Sequence, residues 1–101
     1  MSNVIFKIDE SGRGGFYIME GDEQLGEMSI NITGNRLTAF HTEVASKAEG
    51  KGYAKMLLQA MVNHARSNNL KVRPVCAFVH AQFRRHPEDF ADIWLKEEQS
   101  Q

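Results

Sequence analysis

A single cysteine, two prolines and one tryptophan are found among the 101 residues, and neither sign of charge prevails. With Cys76 alone, an internal disulfide is excluded. The 12 Lys and Arg against 13 Asp and Glu leave a formal net charge of -1, which offers nucleic acid or an anionic membrane no electrostatic attraction. No apolar run approaches the length of a membrane-spanning helix. The first residues lack the basic-then-apolar layout of a signal peptide. These absences lead to the expectation of a soluble, cytoplasmic protein without nucleic-acid or membrane partners, a monomer or a weak dimer. What is present is ordinary for a globular chain: 42% hydrophobic and 25% charged residues, in a length that builds one core but not two. One domain over residues 1–96 and a polar tail over residues 97–101 are expected.

The first half reads as hairpins. Asn3 to Ile8 alternates around Val4, Phe6 and Ile8, the pattern of a half-buried strand. Ser11-Gly12-Arg13-Gly14-Gly15 reads as a turn, Phe16 to Glu20 as a second strand and Gln24 to Ile32 as a third. After Thr33-Gly34-Asn35-Arg36, a turn by its residue types, Leu37 to Val44 forms a fourth. Short turns between four strands predict an antiparallel meander.

Glu49-Gly50-Lys51-Gly52-Tyr53-Ala54 then opens into the most amphipathic stretch of the chain. Met56, Leu57, Ala60, Met61 and Ala65 fall on helical spacing, with Lys55, Gln59, Asn63 and Arg66 on the wet face. A strand, a glycine turn and a helix start gather unpaired backbone N–H groups around one hollow, which suits phosphate. A magnesium-binding phosphate loop needs Ser or Thr after Gly-Lys, and Gly52 stands there. A dinucleotide fold needs a third glycine and repeated parallel strand–helix units. A third reading is a pyrophosphate loop for coenzyme A, and a surface glycine turn with no ligand is a fourth that stays equally open.

Other candidates flank this loop. His41 and Glu43 lie two apart on the fourth strand and project to one side, as a general base or as a solvated polar pair. Asn68-Asn69 stops the helix, and Leu70 to Cys76 reads as a fifth strand parallel to the fourth. Pro74 has no N–H to donate, so the two strands separate there and leave a notch. A second helix follows from Cys76 to His86, and Phe90 to Leu95 reads as a last helical turn or two. At a helix start the dipole favours thiolate at Cys76, with His80 one turn on as a possible pair. A buried, inert thiol is the other reading. Arg84, Arg85 and Lys51 either reach phosphates or are solvated. Cys76, His80 and His86 are too loosely spaced for zinc, so no metal is expected.

Taken in order, His41-Thr42-Glu43-Val44, Glu49 to Ala54, Val72 to Val79 and Arg84-Arg85-His86-Pro87-Glu88 resemble the small, YjdJ-type branch of the GNAT superfamily of N-acetyltransferases. Gly52-Tyr53-Ala54 fits the Gly-x-Gly/Ala core of the superfamily motif, and Glu49, in place of its Arg or Gln, is usual in this branch. The resemblance covers roughly the C-terminal half. It implies an α/β (α+β) fold: a four-stranded meander, a central helix, a fifth strand splayed from and parallel to the fourth, and a C-terminal helix.

It further implies acetyl transfer from acetyl-CoA to an amine acceptor of unidentified kind, a small molecule or a protein. The cofactor residues would be Val44, Glu49, Gly50, Lys51, Gly52, Tyr53, Ala54, Cys76, Phe83 and Arg84. Cys76, Glu43 and His41 are the catalytic candidates, Cys76 as acid or nucleophile. Many members use a Tyr as the acid; Phe83 is the nearest aromatic and has no proton to give. The residues for the helices that usually precede the second strand are missing, so the acceptor site is open, completed by a partner, or suited to a protein amine. The competing reading is a coenzyme A-binding or regulatory module without efficient catalysis.

Overall fold

The computed structural model describes residues 3–96; the tail expected over 97–101 lies outside the described residues. Its order is β1 (Asn3–Ile8), β2 (Arg13–Glu20), β3 (Glu23–Thr33), β4 (Arg36–Val44), one 3-10 turn (Ser46–Ala48), α1 (Tyr53–Ser67), β5 (Lys71–Pro74), α2 (Ala77–Arg85) and α3 (Pro87–Phe90). The strands form one sheet in sequence order, antiparallel from β1 to β4 and parallel between β4 and β5. The parallel pair needs a crossover, which α1 supplies. Among the described residues no helix is long and apolar enough to cross a membrane.

One face of the meander packs on α1. Leu57, Leu58, Met61, Val62 and Ala65 of the helix meet Phe16, Ile18, Met28 and Ile30 of the sheet in one buried cluster. The helix packs directly over Gly26, where a Cβ would stand 3.4 Å from Leu57 Cδ1, an ordinary contact distance. The expected stop at Asn68-Asn69 is present, with Asn69 at φ 56° and the Leu70 amide donating to the Ala65 carbonyl at 2.8 Å.

Two boundaries differ by more than one residue from the sequence reading. β2 begins at Arg13, not Phe16, so Gly14 and Gly15 belong to the strand. Both lie where neighbouring backbone crowds in: a Cβ would collide with the Lys7 carbonyl at Gly14 and with the Met28 carbonyl at Gly15. The turn before them is fixed by Asp9, whose Oδ1 accepts from the Ser11 amide at 2.8 Å and the Arg13 amide at 3.1 Å. β5 is shorter than expected and stops at Pro74, paired with Ala39.

The stretch from Phe90 to Leu95 makes one helical turn, with the Ile93 and Trp94 amides donating to the Phe90 carbonyl at 3.0 and 2.9 Å, and then leaves the helical path. The short α3 ends at Phe90, and the following residues return as a bridge to the outer edge of β5. The Val72 amide donates to the Ile93 carbonyl at 2.6 Å, and the Leu95 amide donates to the Val72 carbonyl at 2.8 Å. With only β4 on its other side, β5 has backbone groups to satisfy, and that need overrides helical spacing.

Candidate functional site

β4 and β5 pair over Arg36–Ala39 and Lys71–Pro74. The Cys76 amide donates to the Ala39 carbonyl at 2.7 Å; beyond it β4 continues to Val44 beside β3 without β5. This is the notch expected at Pro74. At the same place β4 carries a bulge. Ser29 faces His41 and Ile30 faces Ala39, so Phe40 is an extra residue with no partner. The insertion moves Thr42 and Val44 to the face of Leu37 and Ala39, which α1 covers. His41, Glu43 and their partners Ser29 and Glu27 face the other way.

Two features lie on the α1 side. Cys76, 4% exposed, caps the start of α2, and its Sγ is 3.3 Å from Thr42 Oγ1 across the notch. Two residues along, roughly 7 Å by strand rise, Val44 lines a hollow of about 270 Å³ with Ala48, Glu49, Gly50, Gly52, Tyr53, Ala54 and Lys55. Gly50 at φ 87° and Gly52 at φ 78° occupy the left-handed region, and neither has an atom within 4 Å of where a Cβ would stand. The chain therefore turns tightly into α1 while leaving open space at the helix start. The amides of the first turn have no intrahelical acceptors, and the helix dipole is positive there. Tyr53 is buried and its hydroxyl donates to Glu20 Oε2 at 3.3 Å, anchoring the first turn to β2.

The hollow thus gathers Val44, Glu49, Gly50, Gly52, Tyr53 and Ala54 from the expected set. Lys51 is exposed and does not line it; Lys55, read as a wet-face residue, does. Phe83 is fully buried with its ring 4.7 Å from Phe90, stacked, and has no surface for a cofactor. Arg84 lines a separate cavity on the far side of β5 that shares no residue with the hollow. His41 Nε2 lies 3.2 Å from Glu43 Oε2, but both side chains are about two-thirds or more exposed, at 66% and 72%. They form a solvated pair on the face opposite Cys76.

His80 does not pair with Cys76 through its ring, which lies edge-on to Trp94 at 6.1 Å between centroids. The thiol's partner is Thr42. Reading His41 and Glu43 as one side of the strand already set Thr42 on the other, but nothing in the sequence announced its contact with Cys76. Among the described residues no group of three or more His, Cys, Asp or Glu could hold a metal.

A meander, a parallel strand that splays from it and a hollow between two left-handed glycines at the start of the crossover helix make up an acyl-transferase architecture. The chain belongs to the family of GCN5-related N-acetyltransferases, whose model matches residues 15–93. It is similar to a GCN5-like protein from Staphylococcus aureus, with 33% identity over 98% of this chain and 95% of that one, at a TM-score of 0.68. The fold is shared with the ribosomal-protein-S18-alanine N-acetyltransferase of Escherichia coli at 12% identity and a TM-score of 0.62. That match covers 79% of this chain and 53% of the larger enzyme. It is also shared with the ribosomal-protein-alanine N-acetyltransferase of Brucella melitensis biovar Abortus, at 17% identity over 92% of this chain and 68% of that one, TM-score 0.62. No curated protein matches the chain.

Proposed function

We propose that the chain transfers an acetyl group from acetyl-CoA to an amine, with the coenzyme's diphosphate in the hollow before α1. The observation that carries this reading is the pair of left-handed glycines, Gly50 and Gly52, with open space around both. The donors would be the backbone amides of Gly50, Gly52 and Ala54, with Lys55 as the lining cation and Glu49 as the lining acid. Coenzyme A supplies the activated acetyl group as a thioester. Backbone amides of β4 beyond Ala39, left without β5, would stabilise the oxyanion that develops as the amine attacks.

In the transfer a C–N bond forms, the C–S bond breaks, and the departing thiolate needs a proton. Cys76 is the group we assign to give it, with Thr42 orienting the thiol. The His41–Glu43 pair lies on the opposite, solvated face, so the amine's proton passes to solvent, and solvent returns a proton to the Cys76 thiolate once it has protonated the departing coenzyme. The lone reduced thiol suits a cytoplasmic setting.

Adding acetyl-CoA to the labelled protein should shift amides over residues 49–55 and around Cys76. Shifts scattered elsewhere, or none, would remove the site. Cys76→Ala should abolish turnover with binding intact; unchanged turnover would leave Cys76 as packing. The buried Phe83, which has no proton to donate, favours a second reading, a coenzyme A-binding module without turnover. Absence of acetyl-CoA consumption with every class of amine would select it.

A further inference from the structure

The two edges of the sheet are treated differently. Beyond β5 the chain covers the edge itself, where Ile93 and Leu95 take the amide and carbonyl of Val72. Beyond β1, at the other end of the strand order, no described residue pairs with the edge. The unpaired N–H and C=O groups of such an edge template further pairing, and proteins blunt it with proline, a bulge or several charges. β1 has none of these: its six residues pair with β2 without a shift of register, and Lys7 is its single charge. It also carries Ile5, Phe6 and Ile8, three of the five exposed large hydrophobics among the described residues.

The hairpin decides which backbone groups face outward. The Asp9 amide donates to the Arg13 carbonyl at 2.9 Å, toward β2, and antiparallel ladders alternate. Lys7 and Ile5 therefore also bond toward β2, while Val4, Phe6 and Ile8 direct their N–H and C=O groups outward. The side chains of these three stand on the α1 face with Phe16 and Ile18, and those of Ile5 and Lys7 stand on the other.

We propose that a second copy of the chain covers this edge, the two β1 strands pairing antiparallel about Phe6 into one continuous sheet. Charge and pattern select that register among the two-fold ones that join outward-facing groups. Centred on Lys7, the pairing would set two lysines opposite each other, and centred on Ile5 it would leave Ile8 beyond the partner's β1. Centred on Phe6, it joins Phe6 to the partner's Phe6 and Val4 to the partner's Ile8, and sets Lys7 against the partner's Ile5. The apolar face continues across the join and like charges never meet. About six backbone hydrogen bonds form, two for each outward-facing pair. The edge is about 20 Å long and, side chains included, about 10 Å deep, so the area buried falls short of the roughly 1,200–2,000 Å² of a lasting complex. The dimer is therefore weak, with a dissociation constant of roughly 10 μM to 1 mM. This assignment concerns self-association alone and stands whether or not the hollow before α1 accepts coenzyme A.

Sedimentation equilibrium of the full chain measures the dimer directly, and the wild type should pass from monomer to dimer as its concentration rises through that range. The register is tested by Ile5→Glu, Ile5→Gln and Ile5→Lys, which all lose the same apolar contact and differ in charge. Glutamate would face Lys7 of the partner at two symmetric places, and lysine would oppose it there. At low salt the glutamate variant should bind itself most tightly and the lysine variant least, about tenfold apart or more, with glutamine between them. Added salt should bring the three together. Position 5 is exposed on the face away from α1, so the variants keep the wild-type circular dichroism. A monomer at every concentration, equal constants for the three variants, or the reverse order would each overturn the pairing.

Discussion

Replacing Gly52 by alanine separates the conformational role of that residue from its role in binding. At φ 78° an alanine is strained in the left-handed region, yet no atom lies within 4 Å of the added methyl. The native state therefore loses only the backbone term, about 1–2 kcal/mol. Alanine also restricts the unfolded chain, which returns about 0.4–1 kcal/mol. The net loss is about 1 kcal/mol, a drop of about 4–8 °C in Tm for a domain of this size.

Gly21, in the turn between β2 and β3, provides the matched control. Its φ is 60°, its surroundings are equally empty, and it is absent from the lining of the hollow. Gly21→Ala should lower Tm by a similar amount. The two variants part on coenzyme A. A methyl at position 52 fills space that an anion needs to approach the amides of α1, so its dissociation constant should rise at least about tenfold, or ~1.4 kcal/mol. Gly21→Ala should bind as the wild type does. Thermal unfolding gives the first quantity and isothermal titration the second. Equal affinity in both variants would refute an amide grip at the helix start.

Three further outcomes follow from the same geometry. Thr42→Val keeps the shape beside Cys76 and removes its oxygen partner at 3.3 Å, so acetyl transfer should fall while coenzyme A affinity is unchanged; an unaltered rate would dismiss Thr42 as a positioning residue. Phe83→Tyr introduces the acid that many members of the superfamily use, but into a fully buried site, so stability should fall by about 1–3 kcal/mol with no gain in turnover; a faster enzyme would show that the ring reaches the reaction. His64 sits under Phe6, with ring centres 4.2 Å apart, and burial lowers its pKa from the usual 6.5. The unfolded chain then binds a proton that the folded one resists, so stability is full above that value and declines as pH falls through the window down to the folded pKa. Urea midpoints measured across the window should slope in the wild type and less in His64→Phe; identical slopes would remove His64 as the cause.

The meander was legible because each turn carries residues that tolerate left-handed backbone, as Gly21 and Gly34 do. The central helix was legible from its spacing, and Pro74 marked the splay because a missing donor is visible in one letter. What the sequence hid were effects of pairing. Gly14 and Gly15 look like a turn until neighbouring strands press on both sides. Ile93 and Leu95 look helical until the open edge of β5 takes the Ile93 carbonyl and the Leu95 amide. Thr42 carried no signal, since its importance depends on which way β4 faces when it meets Cys76.

The bulge at Phe40 decides that direction. In a regular strand the inward positions Leu37 and Ala39 would be followed by His41 and Glu43, and Thr42 and Val44 would face solvent. A charged carboxylate and an imidazole would then press on the α1 face, at several kcal/mol for a desolvated ion. One inserted residue reverses the phase. The polar pair moves into water, where both side chains are mostly exposed, and Thr42 and Val44 join the α1 side. Thr42 then meets the thiol and Val44 reaches the hollow, so both ends of the proposed cofactor track lie on one face of one strand. Deleting Phe40 would bury the charges and turn both contacts away, which is why the insertion belongs to the site although its own ring is 47% exposed and touches neither end.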